Sequence, residues 1–345
     1  MSDNRIIRVG ISVGDLNGVG IELILKTFED KRMYDLCTPV VYASDKVISF
    51  YKKQLKFNYP INFIANAEGI EEGKLNVIKV WEEMVELQPG TPTQISGQKA
   101  FESLAAATES LNKDEIDVLL TAPISKDNIQ SEEFSFPGHT EYLESKIDGE
   151  SLMILMSNDI KVGLVTGHIP VTEVSKTLNK DLICKKIDIM YQSLLQDFGV
   201  SKPKIAVLGL NPHCGDHGVI GKEDDELIRP ILEEYQEGGK LVYGPYAADG
   251  FFGNRSYLKF DAVISMYHDQ GLVGFKAISF GEGVNFTAGL SKVRVSPDHG
   301  TAFDVAGKGV ANTSSFQEAL YKGISIIKKR KEYQNLTANT LKTKK

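Results

Sequence analysis

Cysteine is scarce in this chain of 345 residues, which has only Cys37, Cys184 and Cys214, far apart and without a CxxC pair. A disulfide framework or a cysteine-based zinc site is therefore not expected. The cysteine usage is typical of a protein in the reducing cytoplasm. No apolar run approaches the roughly 20 residues that a membrane-spanning helix needs. The opening stretch, MSDNRIIRVG, has no apolar core of a secretory signal. We expect a cytoplasmic protein with no membrane partner.

Positive charge is in deficit, with 39 Lys and Arg against 46 Asp and Glu and a formal net charge of -7. Nucleic acids are bound by clusters of Lys and Arg, so this balance argues against a nucleic-acid partner. Hydrophobic residues make up 42% and charged residues 25%, as in ordinary globular proteins. The length is sufficient for two domains.

Short apolar runs alternate with helical patterns along the chain. Such alternation predicts βαβ units, a largely parallel sheet and an α/β fold. The predicted strands are Ile6 to Val13, Val40 to Tyr42, Val118 to Thr121, Ile160 to Val165, Ile205 to Leu210 and Ala262 to Ser265. The predicted helices are Ile21 to Phe28, Gly97 to Leu111, Val171 to Phe198 and Glu223 to Tyr235.

The loop after the first predicted strand, GDLNGVG from Gly14, lies where a dinucleotide fingerprint would lie. Its spacing is G-x-x-x-G-x-G rather than G-x-G-x-x-G, and Asp15 would repel a pyrophosphate at the helix start. The loop is therefore interpreted as a tight turn between a strand and a helix.

Histidine is also rare, with six in the chain, and three of them directly follow predicted strands. These are His168, His213 and His268. Parallel strands bring their carboxyl ends to one edge of a sheet, so the three imidazoles can converge there. Three neutral imidazoles can bind a divalent ion such as zinc and leave a position open for substrate. Taken singly, each could instead be a hydrogen-bonded loop residue.

Positive and amide side chains cluster later in the chain. Lys276 follows His268, Asn285 lies in a predicted glycine-rich loop, FGEGVNFTAG, and Arg294 follows in LSKVRVSPDHG. A lysine, an arginine fork and a neutral amide together suit a phosphate. The alternative is a solvated loop with ordinary charges. His139 and Thr140 begin a helical pattern, where free N–H groups favour an anion.

An ordered series of motifs resembles the 4-hydroxythreonine-4-phosphate dehydrogenase (PdxA) family of vitamin B6 biosynthesis. The motifs are GDLNGVG, TAPISK, FPGHTEYL, VTGHIP, LNPHCGDHG, GPYAAD, MYHDQGL, GEGVNFTAGL and DHGTAFDVAGKG. They extend from about residue 8 to about residue 310. HGTAFDVAGKGVAN is also similar to the cofactor loop of isocitrate and isopropylmalate dehydrogenases. Ile21 departs from the family, which commonly has proline there, and this affects only the first helical turn.

The resemblance implies a two-domain α/β fold of the isocitrate/isopropylmalate dehydrogenase type, with an interdomain cleft. The expected first domain is discontinuous, residues 1–125 plus 280–345, and carries the cofactor loop. The expected second domain, residues 126–279, carries the metal ligands and the contact between the subunits of a homodimer.

The resemblance also implies residue roles. His168, His213 and His268 match the family's metal ligands, with His268 serving the partner subunit's site; zinc is the first choice of metal, with magnesium or cobalt as alternatives. The implied substrate contacts are His139, Thr140, Lys276, Asn285 and Arg294. The implied NAD contacts, carried over from the wider superfamily, are His299, Gly300, Asp304 and Asn312.

The implied reaction is oxidation of 4-phosphooxy-L-threonine at C3 by NAD, followed by decarboxylation to 3-amino-2-oxopropyl phosphate. The metal would polarise the hydroxyl, and the phosphate contacts would aim C3 at the nicotinamide. A catalytic base must accept the hydroxyl proton, and Asp249 and Lys126 are the two candidates.

Two other functions remain open from the sequence. Dehydrogenases of 4-phospho-D-threonate or 4-phospho-D-erythronate share these motifs, because they need the same metal, cofactor and phosphate contacts. A metal-dependent phosphate-ester hydrolase could use the three histidines without NAD, although the HGTAFDVAGKG loop argues against it. A binding module without catalysis has no evident use for a metal beside a phosphate site.

Overall fold

The computed structural model describes residues 5–279 and 281–338. The chain forms two compact units. The first comprises Met1–Gly149 with Leu290–Ser325, and the second comprises Glu150–Gly289 with Ile326–Lys345. The domain bounds expected from the sequence, 1–125 plus 280–345 and 126–279, differ from the bounds of these units and stay predictions. Within the described part, no helix has the length and apolar character needed to cross a membrane.

Strands and helices alternate, as the pattern of apolar runs predicts. The strands are β1 (Arg8–Ser12), β2 (Thr38–Ala43), β3 (Ile61–Ile64), β4 (Leu75–Lys79), β5 (Val118–Thr121), β6 (Gly149–Met156), β7 (Lys161–Leu164), β8 (Lys204–Leu208), β9 (Leu241–Tyr246), β10 (Ala262–Ser265), β11 (Val284–Leu290) and β12 (Val293–Pro297). The helices are α1 (Gly20–Thr27), α2 (Met33–Leu36), α3 (Asp45–Gln54), α4 (Gln94–Asn112), α5 (His139–Glu144), α6 (Val171–Thr177), α7 (Lys180–Gln196), α8 (Arg229–Glu237), α9 (Ala248–Gly253), α10 (His268–Ile278) and α11 (Ser314–Thr337).

The first unit is built on a sheet with the strand order β3-β4-β2-β1-β5-β12. Each neighbouring pair in this order is parallel. Helix α4 packs on β1, β2 and β5 and contributes the fully buried Leu104 and Leu111 to the core of this unit. Parallel pairing places Arg294 of β12 opposite Leu119 of β5, which fixes where the arginine side chain begins.

The second unit has the strand order β11-β6-β7-β10-β8-β9. From β7 to β9 the neighbouring strands are parallel, whereas β6 and β7 are antiparallel. Strands β7, β10 and β8 are therefore adjacent and deliver their carboxyl ends to one edge. Their buried residues form a core with helix residues such as Leu272 and Phe275.

The α/β class and the strands predicted at β1, β2, β5, β7, β8 and β10 are confirmed. The single helix predicted from Val171 to Phe198 is wrong, because the chain breaks into α6 and α7. At the break, the Asn179 side chain accepts a hydrogen bond from the Leu182 N–H at 2.9 Å and caps α7. The predicted glycine-rich loop around Asn285 is also wrong, because Asn285 lies in β11.

Candidate active site

The predicted metal histidines follow three adjacent strands of the second unit. His168 follows β7, His268 begins α10 directly after β10, and His213 follows β8. The rings of His168 and His268 lie close together, with centroids 5.4 Å apart and planes inclined at 43°. Among residues 5–279 and 281–338, no group of three His, Cys, Asp or Glu side chains is arranged to hold a metal ion. One chain thus brings together two of the three predicted ligands.

The His268 imidazole is oriented by its neighbour in the sequence. Nδ1 of His268 lies 2.7 Å from Oδ1 of Asp269. A carboxylate on one ring nitrogen fixes the tautomer and leaves Nε2 as the nitrogen for a metal. The pair His168 and His268, with this orientation, suits a divalent ion that takes imidazole ligands.

The loop that carries His213 has an unusual backbone. His213 and Cys214 have φ values of 53° and 52°, in the left-handed region that such residues rarely adopt. The buried Asp224 carboxylate stabilises the loop by accepting from the N–H groups of Leu210 at 2.8 Å and Asn211 at 3.0 Å. The position of His213 is therefore held by hydrogen bonds from outside its own turn.

Gln270 connects two of the histidine loops, a role that no motif in the sequence indicates. Its Oε1 accepts from the Met266 N–H at 2.8 Å, and its Nε2 donates to the Gly209 carbonyl at 2.5 Å. Met266 precedes His268 and Gly209 precedes His213. The amide thus joins the carboxyl ends of β10 and β8. The polar cluster in MYHDQG is visible in the sequence, but the hydrogen bond from Gln270 to the Gly209 carbonyl is not.

Arg294 lies in a very different environment from the solvated loop that was the alternative interpretation. The residue is 2% exposed, and its guanidinium donates to Thr121 Oγ1 from Nε at 3.1 Å and from Nη2 at 2.7 Å. Burial lowers the pKa of Arg294 to about 9, and the negative charge of Glu141 acts in the opposite direction. At neutral pH the guanidinium remains a buried cation.

His139 lies close enough to this cation to be affected by its charge. Burial lowers the pKa of His139 well below its ordinary value, and the charges of Arg294 and Lys126 lower it further. His139 begins α5, as predicted, and Thr140 follows it. The imidazole is consequently neutral at pH 7 and can donate or accept one hydrogen bond at each nitrogen.

Three of the predicted contact residues have a buried polar atom without a hydrogen-bond partner in the part of the chain that the structure describes. These atoms are Nε2 of His139, Oδ1 of Asn285 and Nε2 of His299. A buried polar group left unpaired costs roughly 1–3 kcal/mol. Such atoms suit a ligand that supplies the missing hydrogen bond. Lys276, the other predicted phosphate contact, lies exposed in the last turn of α10.

The predicted cofactor residues lie in the first unit, in the segment from β12 to the start of α11. Asn312 accepts from the N–H of Ser314 at 2.8 Å, while Gly300 and Asp304 are exposed. The segment is held by α1, where buried Glu22 accepts from the Ala311 N–H at 2.8 Å. No sequence pattern marks Glu22, because glutamate side chains are ordinarily exposed.

The two candidate bases belong to different units. Asp249 lies in α9 of the second unit, and Lys126 lies in the first unit after β5. Both side chains are exposed. Lys126 lies near enough to His139 for its charge to lower the pKa of that imidazole. This proximity does not identify the base, and both residues stay predictions.

Fold and site together define a two-unit α/β protein with strand-end histidines in one unit and a buried cation beside a neutral histidine in the other. The family model described as pyridoxal phosphate biosynthetic protein PdxA matches residues 35–322. The chain belongs to the PdxA family.

The chain is similar to proteins that carry different activity names. A 4-hydroxythreonine-4-phosphate dehydrogenase of Bacteroides thetaiotaomicron is 47% identical over 99% of this chain and 94% of its own length. A putative D-threonate 4-phosphate dehydrogenase of Oceanobacillus iheyensis is 35% identical over 92% of this chain and 98% of its own. The solved structure of a putative 4-hydroxythreonine-4-phosphate dehydrogenase from Salmonella typhimurium has a TM-score of 0.81 at 30% identity, and covers 93% of this chain and 100% of that one.

The lowered pKa of His139 predicts a pH dependence of stability. The neutral imidazole contributes fully to the free energy of unfolding above about pH 6.5, the pKa of histidine in the unfolded chain. This contribution is lost as the pH falls toward the lower pKa of His139 in the folded protein. The free energy of unfolding should therefore fall by up to roughly 1.4 kcal/mol per pH unit from this residue. In urea titrations from pH 7.5 to 5.5, His139→Gln should lose less stability than the unsubstituted protein.

His217 offers a matched control, because its side chain is 93% exposed. His217→Gln should leave the pH dependence unchanged. Identical slopes for His139→Gln and the unsubstituted protein would contradict a neutral buried His139.

Proposed function

We propose that this protein oxidises 4-phosphooxy-L-threonine at C3 with NAD and releases carbon dioxide, giving 3-amino-2-oxopropyl phosphate for pyridoxal 5'-phosphate synthesis. The family and the 47% identical relative named 4-hydroxythreonine-4-phosphate dehydrogenase support this activity. The observation that carries the substrate class is the buried Arg294 cation beside neutral His139. Such a pair suits the anionic end of a small phosphorylated molecule.

We assign the phosphate to Arg294, Lys276 and Asn285, with His139 and Thr140 as further substrate contacts. Arg294 supplies a directional charged donor, and His139 supplies a neutral nitrogen that has no partner in the described protein. Binding energy at the phosphate fixes the position of the distant C3. Removal of hydride from C3 also requires that the hydroxyl proton leave, and Asp249 or Lys126 would accept it.

His168, His213 and His268 would hold a divalent metal. Two of these imidazoles have ring centroids 5.4 Å apart at adjacent strand ends, and His268 is oriented by Asp269, so the donor set fits zinc, with cobalt as an alternative. Magnesium, the other metal that the resemblance implies, prefers oxygen ligands. When bound, the metal would supply Lewis-acid polarisation of the oxygen on C3. NAD would be the hydride acceptor, held by His299, Gly300, Asp304 and Asn312.

We also propose that the protein works as a cytoplasmic homodimer. Each metal histidine is followed within six residues by an exposed aliphatic side chain: Val171 is 76% exposed, Val219 81% and Val273 69%. Apolar groups exposed beside a polar site suit burial against a second copy of the chain. Cys37, Cys184 and Cys214 are free thiols, as expected in a reducing compartment.

The substrate itself is tested by a panel of NAD-reduction assays. 4-phosphooxy-L-threonine should give the highest kcat/KM, above 4-phospho-D-threonate and 4-phospho-D-erythronate. Phosphate release from the same substrates is the control for hydrolysis. A higher kcat/KM on 4-phospho-D-threonate would instead favour the activity named for the Oceanobacillus iheyensis relative. NAD-independent phosphate release would favour the hydrolase.

The metal ligands and the dimer are tested by complementation. His168→Ala and His268→Ala should each purify without metal and without activity, as measured by elemental analysis and turnover. If His268 serves the partner's site, equal mixing with subunit exchange should restore about a quarter of the activity and of the bound metal, because half of the dimers then have one intact site.

His217→Ala is the control and should keep both metal and activity. His168 and His268 of one chain are close together, so the same mixture also tests the alternative that one chain supplies both ligands of a metal site. Failure to recover metal or activity, with exchange shown by mass-tagged subunits, would place each site within a single chain.

Asp304 predicts the choice between NAD and NADP. A carboxylate that accepts hydrogen bonds from the adenosine ribose repels a 2'-phosphate, so NAD should have the higher kcat/KM. Asp304→Asn should narrow the ratio of the two kcat/KM values by roughly 10-fold, since about 1.4 kcal/mol of repulsion is removed. Asp216→Asn, in the second unit, should leave the ratio unchanged. Preference for NADP in the unsubstituted protein would overturn the role of Asp304.

A further inference from the structure

We propose that Thr121 is a positioning residue that sets the direction in which Arg294 presents its guanidinium to the substrate phosphate. The inference rests on the proposed phosphate-binding role of Arg294. Thr121 is not among the residues that the sequence motifs implied for the site.

The sheet brings the two side chains together. Arg294 of β12 is opposite Leu119 of β5, and Thr121 lies two residues further along β5. Residues two apart in a strand point to the same face, so the Thr121 hydroxyl stands on the face from which the arginine side chain extends. A diagonal neighbour in a sheet is within reach of a long side chain. The contact therefore follows from strand register.

The hydrogen bonds fix the guanidinium in two respects. Nε and Nη2 both donate to the same oxygen, at 3.1 and 2.7 Å, so one edge of the planar group faces Thr121 Oγ1. Because guanidinium is rigid and planar, holding one edge fixes both its plane and the direction of the remaining donors. Thr121 is fully buried and Arg294 is 2% exposed, so no bulk water competes for these donors.

The chemistry of the Thr121 side chain explains why a hydroxyl is suited to position 121. A hydroxyl accepts the N–H groups but carries no charge, so it satisfies the donors without neutralising the cation. The carboxylate of Glu141 also acts on Arg294, and it raises the pKa of the guanidinium. Without the Thr121 oxygen, two buried donors lose an acceptor and the guanidinium turns toward other acceptors. Arg294 would then keep its charge, but its guanidinium would no longer be held in the orientation that faces the phosphate.

Thr121→Val tests this directly, since it keeps the shape of the side chain and removes the oxygen. We expect kcat/KM on 4-phosphooxy-L-threonine to fall about 10-fold, the size of a hydrogen bond to a charged group. On unphosphorylated 4-hydroxythreonine we expect a change of less than about 2-fold. Dissociation constants of both compounds, measured without NAD, provide the same comparison independently of turnover.

Three variants make the result specific. Thr121→Ser keeps the hydroxyl and should retain the preference for the phosphorylated compound. Thr108→Val removes another buried hydroxyl of the first unit, which donates to the Leu104 carbonyl at 2.7 Å, and should leave the preference unchanged. Thr121→Ala also removes the hydroxyl and replaces Thr121→Val if that variant does not fold.

Arg294→Ala separates failure of this proposal from failure of the proposed function. It should lower kcat/KM on the phosphorylated substrate by about 10- to 100-fold and affect the unphosphorylated one much less. If Arg294→Ala loses the preference but Thr121→Val and Thr121→Ala keep it, positioning by Thr121 is overturned and the phosphate role stands. Equal losses on both substrates with Arg294→Ala would overturn the phosphate role, and the positioning role with it.

Discussion

Parallel pairing in fixed register is the constraint on which the candidate site depends in both units. In the second unit it delivers the ends of β7, β10 and β8 to one edge, and each end is followed by a predicted metal histidine. In the first unit it sets Arg294 opposite Leu119 and so within reach of Thr121. Parallel strands must be joined by crossover connections, which are usually helical. Helices such as α4, which packs on the sheet, are therefore a consequence of the parallel pairing.

Burial of charge is the second determinant. Moving a guanidinium out of water is costly unless hydrogen bonds replace the lost hydration. At Arg294 the replacement comes partly from a neutral hydroxyl, and its neighbour His139 is kept neutral by burial and by nearby positive charge. The hydroxyl satisfies guanidinium donors without adding negative charge, while the carboxylate of Glu141 raises the pKa of Arg294. A guanidinium held in this way is suited to an anionic ligand.

The predicted strands have largely apolar runs, because strands buried on both faces have little polar alternation. The apolar pattern missed β3, β4, β6, β9, β11 and β12. Polar residues interrupt the run in β3 and β4, and in β4 the buried Asn76 donates to the carbonyl of Pro39 at 3.2 Å. The glycines around Asn285 predicted a loop there, because flanking glycines commonly mark turns. Here Gly289 has a φ of 84° and lies within β11.

The site was predictable in its residue types but not in its pairings. His168, His213 and His268 could be selected because each follows an apolar run. Chain order, however, suggests His213 as the neighbour of His168, whereas the spatial order β7-β10-β8 makes that neighbour His268. Thr121 opens the TAPISK motif, but its contact with Arg294 follows only from the register of β5 with β12. Strand order and register arise from the packing of the whole sheet, which no local pattern encodes.

The net charge of -7 places a further demand on a site for a phosphorylated substrate. Charges on the surface are screened beyond roughly 10 Å at 0.1 M salt, so the excess of Asp and Glu repels an anion only weakly at a distance. A buried cation is screened far less and acts through a lower dielectric than water. Arg294 can therefore dominate the local potential although the chain is acidic overall. The acidic exterior would oppose polyanions such as nucleic acids, which need many surface contacts, more than a small phosphate that needs one enclosed point of contact.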